Sequence, residues 1–181
     1  NTSPIQNYKT IHGCSRVVAI PVENGSDGLL LLLNENIPDY FDVYFNGWDR
    51  TNSISLSGVG IHHPGGDVKK ISTYGNHLPS SATWLNSDSN KEGAQNAHWN
   101  IIFDETSNGH SVTEGGSSGS PIFNQNKLII GTLSGGNSTC DNPEGINLYG
   151  KLFYHWDKYS QADTGRMDKW LDPIGSGVTS L

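Results

Sequence analysis

The sequence predicts an all-β protein, and two observations support that prediction. Glycine makes up 22 of the 181 residues while only 16% are charged, a composition that suits a turn-rich β protein better than a helical bundle. Short runs of β-forming residues recur along the chain at intervals typical of a β-barrel, with turn-forming residues between them. The length allows one or two domains, each with a hydrophobic core.

The predicted strands begin with residues 17–20 and 28–33. The second run reads GLLLLL, which is short and continuously apolar, so we expect a buried strand. Further strands are predicted at residues 41–48, 55–62, 69–74, 82–85, 98–103 and 148–156, and on both sides of the turn at residues 124–126. Residues 86–96 are polar and predict a loop.

A change of period near the end of the chain predicts a short helix. Met167, Trp170 and Leu171 are spaced i, i+3 and i+4, and Pro173 follows them. We therefore predict an amphipathic helix over residues 164–171.

Charge and hydropathy exclude several classes of function. The formal net charge is -7 and the isoelectric point is about 5.3, so no basic surface favours nucleic acid or an anionic membrane. The longest apolar run, residues 29–33, is far too short to span a bilayer. No signal peptide is visible, so we expect that one was removed or that the sequence starts inside a longer gene.

Nothing in the sequence predicts a cofactor or a metal site. His62 and His63 are the closest pair of candidate ligands, but adjacent residues of a strand point to opposite faces. Neither has a Cys or His partner at the spacing of a metal site.

The most informative stretch is residues 113–121, which read TEGGSSGSP. It is not a linker, because it runs directly into the β-formers Ile122 and Phe123. Glycines on both sides of Ser118 allow positive φ angles, which expose a serine hydroxyl beside backbone N–H groups. Acyl transfer needs that combination of a nucleophile and oxyanion donors. The alternative is an ordinary Gly/Ser turn.

The residues around this stretch resemble one family. Residues 116–121 are similar to the G-x-S-G-x-P signature of chymotrypsin-fold serine proteases, and further segments resemble the bacterial lysyl endopeptidases in family order. These segments are SDGLLL at residues 26–31, GWDR at 47–50, IHHP at 61–64, VTE at 112–114, SGG at 134–136 ending in Cys140, YG at 149–150 and WLDP at 170–173. The resemblance covers about residues 26–173.

The resemblance implies a chymotrypsin-like double β-barrel that ends in a short helix, with the N-terminal barrel incomplete. Residues 1–38 would be a remnant of the first barrel, and residues 39–181 would form the second barrel with the terminal helix. It also implies a protein that is secreted or lies outside the cell envelope. Cys14 and Cys140 would belong to different barrels, too far apart for a disulfide, so we predict two free thiols.

For catalysis, the resemblance implies that Ser118 is the nucleophile and Asp27 the acid of a catalytic triad. The N–H groups of Gly116 and Ser118 would form the oxyanion hole. The base histidine of this fold precedes the aspartate, and His12 is the one histidine upstream of Asp27. Its setting, His-Gly-Cys, differs from the Ala-His-Cys motif of the family. The chain therefore resembles a trypsin-like serine endopeptidase domain that lacks the segment carrying its base.

For specificity, the resemblance implies that Ser134, Gly135 and Gly136 form the edge that pairs with a polypeptide substrate. Asn147 matches the pocket position at which lysine-selective members carry an acid. Ser134 matches the position of the His that stacks in their pocket, and Phe103 most nearly matches the position of its Trp partner. These departures argue against lysine preference, unless Asp141 or Glu144 supplies the charge.

Two functions are therefore open. The first is a secreted endopeptidase, with the missing N-terminal segment or chain as a partner of this one. The second is a non-catalytic protease homologue that binds peptides or proteins through the same cleft.

Overall fold

The computed structural model describes residues 8–86 and 88–181, and the first seven residues of the predicted N-terminal remnant lie outside the described part. Within these ranges the chain forms two short α-helices, α1 (Leu152–Asp157) and α2 (Asp168–Leu171). The strands are β1 (Cys14–Ile20), β2 (Gly28–Leu33), β3 (Gly58–His62), β4 (Lys70–Tyr74), β5 (Ser80–Ala82), β6 (Leu85–Asn86), β7 (Lys91–Glu92), β8 (His98–Ile101), β9 (Glu105–Thr106), β10 (Gly109–His110), β11 (Pro121–Asn124), β12 (Ile129–Gly136) and β13 (Asn147–Lys151).

A seven-stranded antiparallel sheet forms most of the molecule, in the order β4-β3-β11-β12-β13-β8-β5. The two ends of this sheet approach each other, because the N–H of Asp104, just after β8, donates to the carbonyl of Thr73 on β4 (2.8 Å). The sheet therefore curves round a core of eight buried side chains: Tyr74, Trp99, Ile101, Phe103, Ile122, Ile130, Leu133 and Tyr149. The predicted all-β fold is confirmed.

The β1–β2 hairpin packs beside this barrel through a second apolar cluster. Val18 and Ile20 of β1 are buried against Trp48, Leu152, Trp156 and Met167. The prediction of a buried strand at residues 28–33 is wrong in one respect, because four of its five leucines (Leu29, Leu31, Leu32 and Leu33) are between 43% and 57% exposed. The reason is that β2 pairs only with β1 among the described residues.

Two other predicted strands differ from the structure. Residues 41–48 form no strand; a 3-10 turn spans Asp39–Phe41, and Trp48 makes only an isolated bridge to Ile129. The predicted strand at residues 148–156 ends at Lys151 and continues as α1. Leu152, His155 and Trp156 are buried there at i, i+3 and i+4, which is a helical spacing.

The C-terminal helix is present but shorter than residues 164–171. A 3-10 turn over Asp163–Gly165 and an extended Arg166 precede α2. The N–H of Met167 is taken by the carbonyls of His155 and Trp156 on α1, so the helix starts only after this anchor.

Other sequence expectations concern the cysteines and the membrane. Cys14 and Cys140 are both exposed and unpaired, which confirms the prediction of two free thiols. Among the described residues, we find no helix with the length and hydropathy needed to cross a membrane. The domain boundary near residue 38 stays a prediction.

Two fully buried histidines lie where the hairpin meets the barrel. His98 is on β8 and His155 is on α1, and His155 donates from Nε2 to the Ser26 carbonyl (3.0 Å). Burial lowers the pKa of His98 to about 4, helped by the nearby His155 and Lys151. Burial likewise lowers the pKa of His155 to about 4, against the opposing effect of the Ser26 hydrogen bond. Both imidazoles are therefore neutral in the folded protein at neutral pH.

This burial predicts a loss of stability in mild acid. Each histidine has a lower pKa in the folded than in the unfolded state, so its stabilising effect is complete above about pH 6.5 and declines as the pH falls towards 4. Between about pH 8 and about pH 5.5, we expect the free energy of unfolding to fall by about 1.4 kcal/mol for each histidine. Urea unfolding at several pH values measures this slope.

Matched variants identify the groups responsible. His98→Phe and His155→Gln should each make the slope shallower, whereas His77→Gln, at an exposed histidine, should leave it unchanged. A slope that stays the same in both buried variants would contradict the assignment.

Candidate active site

The Gly-Ser stretch forms a tight loop immediately before β11. Gly116 and Gly119 take φ angles of +97° and +79°, as the sequence predicted for glycines beside a nucleophile. Ser118 is exposed at the surface of this loop, while the neighbouring Ser117 is completely buried. The loop thus presents one serine hydroxyl to solvent.

Backbone hydrogen bonds fix this loop but leave two N–H groups free. The N–H groups of Ser117, Gly119 and Ser120 donate to the carbonyls of Glu114, Leu133 and Ser117, at 2.9, 2.8 and 3.0 Å. The N–H groups of Gly116 and Ser118 have no hydrogen-bond acceptor in the part of the chain that the structure describes. These are the two donors predicted for the oxyanion hole, and they are available to bind an anion.

A buried chain of neutral groups lies beneath the loop. Ser117 Oγ is 2.8 Å from Nδ1 of His62, and Nε2 of His62 is 2.8 Å from Oγ of Ser72. Burial lowers the pKa of His62, and the neighbouring His63 adds to this effect while Glu114 opposes it. A neutral imidazole has one donor and one acceptor nitrogen, so it satisfies both serine hydroxyls.

The second histidine of this pair has a different environment. His63 donates from Nδ1 to the Asp67 carbonyl at the surface (3.0 Å). Within residues 8–86 and 88–181, no three His, Cys, Asp or Glu side chains are grouped as metal ligands would be.

The predicted substrate edge lies on β12. Gly135 and Gly136 pair with Leu148 and Asn147 of β13 on one side, and Ser134 is skipped where the register shifts between Leu133 and Gly135. On the other side β11 starts only at Pro121, opposite Thr132, so it does not reach these residues. Ser134, Gly135 and Gly136 therefore have one side open to an added strand, as β-augmentation requires.

Asn147 is completely buried at the start of β13, and its amide is fully used by the protein. Its Oδ1 accepts from the hydroxyls of Thr113 and Ser138, both at 2.6 Å. Its Nδ2 donates to the carbonyls of Ile101 (3.1 Å) and Gly145 (3.4 Å). Direct contact between the Asn147 amide and a further group would break one of these bonds.

Phe103 does not line a substrate pocket. It is completely buried in the barrel core, where its ring lies against Gly60 and Tyr149. The expectation of a substrate contact from Phe103 is therefore corrected. The residue follows β8, and an apolar ring at that point fills the barrel interior.

Asp27 lies at the start of β2 and is exposed, with a φ angle of +60°. The preceding Ser26 fixes its position, because the Ser26 carbonyl packs on Gly150 of β13 and accepts from His155. Gly150 pairs with Thr132, and Thr132 pairs with Pro121 of β11. The residue before Asp27 is thus packed on β13, and β12 alone separates β13 from β11, the strand that follows Ser118.

The histidines of the chain do not supply an obvious base for Ser118. His62, His98 and His155 are buried, and His110 is bonded to the Phe103 carbonyl (2.6 Å). His12 is exposed and makes no side-chain hydrogen bond with the described residues. No side chain in the described ranges is hydrogen-bonded to the Ser118 hydroxyl.

A wide apolar groove lies away from this site. Its volume is about 850 Å³, and it is lined by residues of β3, β4 and β11 together with Tyr44. None of the candidate site residues lines it. The groove is therefore not the cleft in which Ser118 would act.

Sequence reasoning missed the side chains that support the site. Ser72 and Ser138 are isolated small polar residues with no motif of their own. Thr113 and Ser117 lie in the segments VTE (residues 112–114) and G-x-S-G-x-P (residues 116–121), and those segments were the available signal. Ser72 and Ser138 are distant in sequence from the groups that they bond, so no local pattern identifies them.

Comparison with known proteins identifies the family of this chain. A family model described as lysyl endopeptidase, C-terminal domain, matches residues 1–150. Among solved structures, the chain is similar to an inactive Ser-to-Ala mutant of Rv3671c from M. tuberculosis H37Rv, with 14% sequence identity and a TM-score of 0.49. That match covers 78% of this chain and 60% of the other, so the chain spans less than two thirds of its length. The family match extends over most of the sequence, and the chain belongs to the lysyl endopeptidase C-terminal domain family of chymotrypsin-fold serine proteases.

Proposed function

We propose that this chain carries the nucleophile, the oxyanion donors and the acid of a serine endopeptidase. The observation that carries the proposal is the exposed Ser118 hydroxyl beside the unpartnered N–H groups of Gly116 and Ser118. In this mechanism Ser118 Oγ attacks the scissile carbonyl, and the two N–H groups stabilise the negative charge on its oxygen. The amine leaves, an acyl-enzyme forms, and water then hydrolyses it.

The base in this proposal is a histidine of an upstream segment, which Asp27 orients. Three of the seven histidines are buried, and none of the other four is hydrogen-bonded to Ser118 among the described residues. The strand that carries Asp27 is anchored through Ser26, which leaves the carboxylate free on the exposed side. An imidazole placed between Asp27 and Ser118 would complete the triad.

The upstream segment is also the partner that we propose for the β1–β2 hairpin. The exposed leucines of β2 form an apolar surface that a completed first barrel would bury. Burial of such a surface would couple association of the segment to assembly of the site. We also propose that the enzyme acts outside the cell, and the family match supports this.

This mechanism predicts how Ser118 reacts with a fluorophosphonate probe. The chain alone should label slowly, because no base takes the proton of the hydroxyl. Addition of the upstream segment with its histidine should increase the labelling rate at least a hundredfold, in line with general-base catalysis. Mass spectrometry of the labelled peptide locates the phosphonyl group on Ser118.

Two variants serve as controls. Ser118→Ala should abolish the labelling that the segment restores, and His12→Gln should leave it unchanged. Rapid labelling of the isolated chain that is lost in His12→Gln would show that His12 is the base, against our proposal.

We further propose that the enzyme does not select lysine at the cleaved bond. The amide of Asn147 is neutral and fully hydrogen-bonded, so it offers no charge to an ammonium group. The hydroxyls of Thr113 and Ser138 lie next to it, and they suit an uncharged side chain.

Asn147→Asp tests this specificity directly. In the assembled enzyme, kcat/KM for lysine over alanine peptides should rise tenfold or more. The same change replaces Nδ2, which donates to two carbonyls, by an oxygen that repels them. We therefore expect the variant to unfold about 1–3 kcal/mol more easily without substrate.

Asn137→Asp is the matched control, because it adds the same charge at an exposed residue whose side chain, among the described residues, only accepts a bond from the Ile146 N–H (2.8 Å). It should leave both the specificity and the stability nearly unchanged. If the unmodified enzyme already prefers lysine and loses that preference in Asp141→Asn or Glu144→Gln, the proposed specificity is wrong.

The open side of residues 134–136 also supports a second function, the binding of an extended peptide without hydrolysis. The two functions differ in chemistry at Ser118. A chain that binds peptides but never labels at Ser118, even with the upstream segment present, would be a binding module.

A further inference from the structure

One side-chain contact joins the middle of the nucleophile loop (residues 115–119) to the barrel. Its two ends are fixed by main-chain bonds: Gly65 N–H to the Gly115 carbonyl (2.8 Å) at the start, and Gly119 N–H to the Leu133 carbonyl at the end. Between these ends, the side chain of Ser117 points inward and is completely buried. Ser117 Oγ meets His62 Nδ1 at 2.8 Å.

The hydrogen bonds around Ser117 place the His62 ring between two buried serines. Ser117 Oγ accepts a long bond from the Glu114 N–H (3.4 Å) and lies 2.8 Å from His62 Nδ1. On the other side of the ring, His62 Nε2 lies 2.8 Å from Ser72 Oγ, and in the neutral imidazole one of these two nitrogens donates while the other accepts. Ser72 is completely buried on β4, so this series of hydrogen bonds ends inside the barrel wall.

We propose that His62 is a positioning residue that keeps the Gly116 and Ser118 N–H groups in place for the oxyanion. Ser117 lies between those two residues, so any shift of Ser117 moves both donors. His62 lies on β3, and its backbone is paired with Lys70 on β4. His62 is therefore held by the sheet. All the residues that support the loop in this way belong to this chain. The inference rests on the proposed function in one point, namely that the Gly116 and Ser118 N–H groups bind the oxyanion.

A consequence is that the loop is ordered before the upstream segment arrives. Each hydrogen bond that holds it comes from residues 62–133 of this chain. The upstream segment would then contribute only the base to the reaction. His62 would contribute the correct geometry of the two N–H donors.

Two substitutions at the same position separate the contacts of His62. The amide of Asn reaches approximately to the place of Nδ1, and the longer Gln reaches to that of Nε2. His62→Asn therefore keeps a partner for Ser117 and loses the contact with Ser72, whereas His62→Gln keeps Ser72 and loses Ser117. Both variants remove the imidazole, so each controls for the other.

The first measurement is amide hydrogen exchange of the isolated chain, followed on a peptide that covers residues 114–120. We expect exchange of this peptide to be at least tenfold faster in His62→Gln than in His62→Asn. Ser117→Ala removes the same contact from the other side with a smaller change, and its exchange should be as fast as that of His62→Gln. Equal exchange in all variants and the unmodified chain would overturn the inference, as would faster exchange in His62→Asn alone.

The second measurement uses the assembled enzyme. His62→Gln should lower kcat at least tenfold with little change in KM, and His62→Asn should restore most of it. A double variant, His62→Gln with Ser117→Ala, should be no slower than either single variant, because both remove one contact. If the exchange results hold but no variant or unmodified enzyme shows activity, the proposed function fails while the positioning by His62 stands.

Discussion

The pairing of β12 with β11 and β13 determines the geometry of the whole site. β11 carries the nucleophile loop at its start, and the loop is bonded to Leu133 of β12. β12 then continues past the start of β11 as residues 134–136, and one side of these residues is open to an added strand. β13 brings Asn147 to Thr113 and Ser138 at one end and Gly150 under Ser26 at the other. A shift of one residue in β12 would separate all of these groups, because it would reverse every side chain.

The interior of this half of the protein relies on neutral hydrogen bonds rather than on buried ion pairs. Ser117, His62 and Ser72 form one such chain, and Thr113, Ser138 and Asn147 form another. Burying a neutral hydroxyl with its partners costs far less than burying a charge. In the specificity that we propose, the same neutral groups would offer no counter-ion to a lysine side chain.

The sequence was most informative where a residue type is required by backbone geometry. Gly116 and Gly119 take positive φ angles, and the serine signature between them is enough to identify the candidate nucleophile. It was least informative where pairing decides the outcome. The run of leucines at residues 28–33 predicted a buried strand. Burial also requires another part of the protein to pack on the strand, and the local sequence does not show whether one does. In residues 148–156 a strand is followed directly by a helix, with no turn residue between Lys151 and Leu152. The hydrophobic period therefore changes from that of a strand to that of a helix with no local signal at the boundary. Phe103 was aligned with a pocket position, but its side chain fills the barrel, since facing direction depends on the register of β8.

The central claim is that one half of a serine-protease site is prebuilt in this chain and that the base comes from an upstream segment. A crystal structure of the chain with that segment and a peptidyl phosphonate tests it most directly. We expect phosphorus bonded to Ser118 Oγ, the phosphonyl oxygen within about 3 Å of the Gly116 and Ser118 nitrogens, and an upstream imidazole between Ser118 and Asp27. A structure in which Asp27 faces away from that imidazole, or in which the phosphonyl oxygen contacts neither nitrogen, would contradict the account.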